Sequence, residues 1–121
     1  MKKLILGAVA VVASINCFAA EDAKIIEAVE KDVKTNFFPA DVKVKSVENV
    51  RFFPGDNDTP YARFGNVCGS AIVSKGEMSK RLIFITTVKE KSSQLSIETP
   101  SIYDLDNQDE IARDDLKKRC K

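Results

Sequence analysis

Lys2 and Lys3 are followed by an almost unbroken apolar run from Leu4 to Ile15, and this decides how much of the chain is left to fold. The run is about 12 residues, against the roughly 20 a helix needs to cross a bilayer. A basic start, a short apolar stretch and small residues at Cys17, Ala19 and Ala20 are the parts of a cleavable secretory signal. Cutting after Ala19 puts Cys17 and Ala19 at the two positions where the peptidase needs small side chains, whereas cutting after Ala20 puts Phe18 in one of them. Residues 1–19 are therefore read as the signal and 20–121 as one mature domain. Cys17 suggests a rival, an acylated lipoprotein. That processing wants a small residue directly before the cysteine and a leucine upstream, and Ser14-Ile15-Asn16 does not supply them. The expected location is the periplasm, with no stable membrane insertion once the signal is gone.

Removal of the signal changes what composition means. The chain has 19 Lys+Arg and 18 Asp+Glu; loss of Lys2 and Lys3 leaves 17 against 18, a net charge near −1. That balance argues against nucleic acid or anionic lipid as a partner held by a general basic field. About 102 residues can bury somewhat over 60% of their unfolded surface, enough for one modest core. Of three cysteines Cys17 leaves with the signal, so Cys68 and Cys120 remain to form a single bridge in an oxidising compartment. Closing a loop of about 52 residues constrains the unfolded chain by roughly 4 kcal/mol in the chain-entropy treatment.

Along the mature chain, Ile25, Ile26, Val29, Val33 and Phe37 recur at helical spacing, which predicts a helix over 21–37 ended by Pro39. Val42 and Val44 then alternate with lysines, the phase slips near Ser46 and Val47 as at a bulge, and Val50 and Phe52 resume it. Pro54 to Pro60 reads as a loop. Strands are expected over 62–74, over 80–90 and over 94–99. The middle one is apolar on both faces and so central; Pro100 marks the last as an edge. A closing helix is expected over 107–119, with Asn107 and Glu110 as a capping box and basic residues trailing. Its Ala112-Leu116-Cys120 face turns Cys120 toward Cys68. The predicted architecture is α+β: an N-terminal helix, an antiparallel sheet of about four strands, a C-terminal helix and one disulfide.

Several chemistries lack their residues. The sequence has no histidine, which removes the commonest general base and metal ligand and every Ser-His or Cys-His nucleophile pair. Its five glycines are scattered, with no phosphate-cradling loop. Asp56 and Asp58 in the first loop, and Asp104, Asp106, Asp109 and Glu110 around the last helix, do not follow the offsets of a calcium loop and suit turns and caps. A glycosidase-like carboxylate pair would lack a sugar platform, since there is no tryptophan and only two tyrosines. No cofactor, metal site or catalytic residue is expected. Around the loop, Phe52 and Phe53 precede Pro54, and Tyr61 and Phe64 follow Pro60; paired across a hairpin they would either seal the core or form an apolar patch with an acidic tip.

The stretch from Pro39 to Ile85 resembles a group of small exported bacterial proteins of undefined function. Pro39-Ala40-Asp41 stands at their strand-start position, Val67-Cys68-Gly69 matches their Cys-Gly strand, Leu82 to Ile85 the apolar strand after it, and Cys120 their late cysteine. The family's Asp-Pro order is missing, and Ser70 to Gly76 replaces the run that usually follows Cys-Gly. The resemblance implies the same fold and bridge and brings no catalytic residue. The function expected on these grounds is non-enzymatic binding of another envelope or secreted protein, as inhibitor, immunity or accessory factor, with Phe53, Asp56, Asp58 and Tyr61 as the docking residues. The alternative is a small envelope enzyme or ligand carrier using a cleft lined by the acidic segments.

Overall fold

The computed structural model describes residues 19–121; the expected signal lies outside the described residues except for Ala19. Helix α1 (Asp22–Thr35) is followed by strands β1 (Lys43–Pro54), β2 (Phe64–Lys75), β3 (Met78–Lys91), β4 (Gln94–Ile97) and β5 (Ser101–Asp104), then helix α2 (Leu105–Arg119). The strands form one antiparallel meander in which β4 and β5 share a single edge. Val88 to Lys91 of β3 pair with β4, and Leu82 to Ile85 pair with β5. Between them Glu98 keeps the connection: its N–H donates to the Thr87 carbonyl at 2.9 Å, and Thr86 Oγ1 donates to its carbonyl at 2.6 Å. The four expected strands are present, the last over Gln94–Ile97, and β5, beyond Pro100, is a fifth that the sequence reading did not include.

β3 is central, as its two apolar faces require. Phe84 and Val88 point to one side of the sheet and Ile85 to the other, all of them buried. On the first side, Ile25, Val29 and Val33 of α1 pack with Phe52, Val67, Ala71, Val73, Phe84 and Val88 to make the core. Full burial of a valine, isoleucine or phenylalanine side chain contributes about 1.5–3 kcal/mol relative to exposure. α1 ends two residues before the expected Phe37. The N–H groups of Asn36 and Phe37 both close on the Asp32 carbonyl, and the Phe37 ring leaves the helix stripe to meet Phe84 edge-on at 5.8 Å.

Strand β1 explains the phase slip. Its inward residues are Val44, Val47, Val50 and Phe52, and two steps of three residues cannot occur in a regular strand of period two. Register shifts between Val44 and Ser46 and between Glu48 and Arg51 absorb the extra residue each time, the second with Asn49 at φ 54°. Two-residue turns make the next hairpins. Gly76 takes φ 63° between β2 and β3, and Ser92 and Ser93 take φ 54° and 66° between β3 and β4, the left-handed values such tight turns demand.

α2 begins earlier than the capping-box pattern suggested. Asp104 caps it by accepting from the Asp106 N–H at 3.0 Å, and the Gln108 side chain reaches back to the Asp104 N–H at 2.9 Å. Asn107 instead bonds to the Asp104 carboxylate, so the Asn107–Glu110 box does not form. Non-helical angles at Gln108 kink the first turn. The helix lies on the second side of the sheet, over β3 and β5, where Cys120 joins Cys68 with their Cα atoms 6.2 Å apart.

Candidate functional site

The loop between β1 and β2 is built around one arginine. Arg63 Nε donates to Asp58 Oδ1 at 2.8 Å, Nη2 to Asp58 Oδ2 at 3.2 Å and to Asp22 Oδ1 at 2.5 Å, and Nη1 to the Ala20 carbonyl at 2.7 Å. Its guanidinium lies 5.0 Å above the ring of Phe52. The Asp58 carboxylate also accepts from the Phe64 N–H at 2.9 Å. Burial works to raise the Asp58 pKa, but the bonds from Arg63 and the Phe64 N–H and the arginine's charge outweigh it and hold the group below the ordinary carboxylate range. The same pairing pushes Arg63 upward. Asp58 is thus turned inward, with 16% of its side chain exposed, and is occupied within the fold.

The other expected docking residues separate. Asp56 is exposed at the loop tip. Tyr61 is 65% exposed and lies in the loop, beyond the paired part of the hairpin. Phe52 is buried in the core, whereas Phe53 points to the opposite side of the sheet, half-buried, with Arg51 5.7 Å from its ring centre. The aromatics do not pair with one another across the hairpin as expected: Phe52 opposes Val67 and Phe53 opposes Asn66. Glycines receive the rings instead. A side chain at Gly65 would stand 2.8 Å from the Phe52 ring, and one at Gly69 2.7 Å from the Phe84 ring.

The second side of the sheet is half open. α2 is held there by the disulfide, by Ala112 and by a polar layer. Tyr103 Oη donates to Asp115 at 2.6 Å, Arg119 reaches Asp115, Ser101 and Thr87, and Asn66 bonds to Thr87 and to the Arg119 carbonyl. The bond to Asp115, with burial second, raises the Tyr103 pKa. Between α2 and β1 runs a shallow groove of about 270 Å³, whose lining includes Arg51, Phe53, Ser70, Ile83, Leu116 and the Cys68–Cys120 bridge.

The acidic segments do not converge. Asp58 abuts Phe64, which pairs with Lys89, while Asp104 pairs with Leu82. Seven residues of extended strand separate those two levels, roughly 23 Å. Asp104 is taken up by its cap and by Lys80, 2.7 Å away; the lysine holds the Asp104 pKa down and is itself raised. Among the described residues no group of three or more Cys, Asp or Glu is placed to hold a metal ion, and no helix is long and apolar enough to cross a membrane.

Two structural residues escaped the sequence reading, Arg63 and Glu90. Glu90 is 8% exposed at the end of β3 and accepts the Ala20 N–H at 2.7 Å. Its signal was present: Leu82, Phe84, Thr86, Val88 and Glu90 continue one alternation, although the flanking Lys89 and Lys91 give the segment a solvated look. No family model matches the chain, and neither a curated protein nor a solved structure matches it.

Proposed function

We propose that the mature domain is a non-enzymatic periplasmic protein that binds another envelope protein, as inhibitor, immunity or accessory factor, through the open half of its second sheet face. The observation that carries this is the groove beside the disulfide, where Phe53 under Arg51 offers an aromatic anchor with a cation at its rim. Such anchors in partly desolvated surroundings supply most of the energy of protein interfaces. The groove's floor is tied covalently to α2, so the surface is preformed and little ordering is needed on binding. A partner suited to it presents an apolar side chain flanked by a carboxylate. The acidic-cleft alternative finds less support, because its carboxylates are engaged separately at the two ends of β3.

Affinity capture from an envelope extract tests the reading, with the mature protein and its Phe53→Ala and Tyr61→Ala forms as baits. Phe53→Ala is expected to lose a specific partner with Tm nearly unchanged. Full capture by Phe53→Ala, or capture lost only in step with stability, overturns the groove assignment. Loss with Tyr61→Ala alone moves the surface to the loop tip.

A further inference from the structure

Glu90 is a carboxylate buried to better than nine-tenths, and it has no lysine or arginine side chain as an ion-pair partner among the described residues. Its bond is with a backbone N–H, that of Ala20, at 2.7 Å. Burying a carboxylate against a neutral donor is costly; a cation in that position removes most of the cost. Ala20 is also the first residue of the domain if the signal is cut where the small side chains at Cys17 and Ala19 permit. The atom that meets Glu90 is then the atom that cutting would turn from an amide nitrogen into an amine.

We infer that Glu90 is the seat of the processed amino terminus: hydrolysis of the Ala19–Ala20 bond creates an ammonium group at Ala20 that forms a buried ion pair with Glu90. Water adds across the amide; its hydroxyl goes to the Ala19 carbonyl carbon, which leaves as the carboxylate of the signal, and the Ala20 nitrogen takes up protons to become the ammonium. The seat is already assembled around that atom. Arg63 Nη1 holds the Ala20 carbonyl at 2.7 Å, the Glu90 N–H is fixed to the Arg63 carbonyl at 2.8 Å, and a hollow of about 610 Å³ beside Ala20 and Lys24 admits the water that solvates the remaining protons. Departure of Ala19 gives up one neutral bond, from its N–H to the Pro60 carbonyl at 2.9 Å. In exchange, the donor facing the Glu90 carboxylate acquires a full opposite charge in a site shielded from bulk water, where the attraction between unit charges is larger than at an open surface, so the exchange favours the processed chain.

The charged groups around the seat set its pH behaviour. Glu90 comes from β3, Glu21, Asp22 and Lys24 from the start of α1, and Arg63 from the turn before β2, its charge offset by Asp58 and Asp22. An ammonium facing Glu90 has its pKa raised above the ordinary α-amino value of about 8. The stabilisation it contributes is therefore complete below that ordinary value and is lost as pH rises through the raised one.

The test compares four proteins: the chain processed in vivo from the full precursor, a form released from a cleavable carrier that retains Ala19, and each of these with Glu90→Gln. N-terminal sequencing of the processed chain is expected to read Ala20 first. At pH 7 its Tm should exceed that of the Ala19-retaining form by on the order of 5 °C, and the gap should close above pH 10 and vanish with Glu90→Gln. Glutamine keeps the size and the acceptor, so the variant folds. Acylation of the Ala20 amine at pH 8 should be about tenfold slower than in the Glu90→Gln form, the rate consequence of a one-decade change in the free-amine fraction. Another first residue, an equal effect of Glu90→Gln on both forms, or equal acylation rates would each overturn the inference.

Discussion

Arg63 joins pieces of chain that the sequence keeps far apart. Through one guanidinium it ties the loop at Asp58, the first turn of α1 at Asp22 and the incoming segment at Ala20, while covering the face of Phe52. With 11% of its side chain exposed and Asp58 at 16%, this is a pair shielded from water, unlike the exposed pairs of α2. Arg63→Ala should destabilise the domain by roughly 3–5 kcal/mol, because it leaves the Asp58 carboxylate buried without its cation. Arg63→Lys should recover only part, lacking the fork that meets both Asp58 oxygens. The lowered pKa of Asp58 sets the direction of the pH effect. Its contribution is present above the unfolded value of about 3.9 and disappears as pH falls through the folded one. Urea midpoints measured from pH 6 to pH 2 should therefore fall more gently in Asp58→Asn than in the wild type, from a lower starting stability.

The two helices are held to the sheet by different means. α1 buries Ile25, Val29 and Val33 in the core, whereas α2 buries only Ala112 fully and depends on the bridge and on the Asn66–Thr87–Arg119–Asp115–Tyr103 layer. Losing the bridge by Cys68→Ser or Cys120→Ser should cost roughly 2–5 kcal/mol. The loss should appear first in α2: hydrogen exchange of its amides should rise toward that of a free helix while β2 and β3 stay protected. Equal loss of protection in both would show α2 to be part of the core unit. This contrast was partly legible. The apolar stripe of α1 and the two-sided burial of β3 follow from spacing alone, and the bulged strand followed from a phase slip. The start of α2 did not, because Asp104 and Asn107 offer equally good caps locally and the pairing of β5 with β3 chooses between them. Nor did β5 itself: Ser101-Ile-Tyr-Asp is four residues after a proline, too short for a period to register.

For the molecule as a whole, the loop aromatics show where sequence reading ran out. Phe52 and Phe53 are adjacent, so a strand must send them to opposite faces, yet local sequence does not say which face α1 will cover. That was decided by Val67, Ala71 and Val88 from elsewhere in the sheet. The groove beside Phe53 was likewise invisible, since it exists only because α2 stops short of β1. One feature of this arrangement has a mechanical side. Cys120 directly follows α2, so the segment leaving that helix is bolted to the middle of β2. A pull between Ala20 and Lys121 bypasses β3, β4, β5 and α2, which hang in the closed loop and carry no tension. Stretching a single oxidised molecule should lengthen it by only about half of what its size implies, to roughly 180 Å, against roughly 370 Å after reduction. A body held beyond Cys120 would pass the load straight into β2, and the segment from Cys68 to Cys120 would stay covalently closed and unextended under a force that has already drawn out the rest.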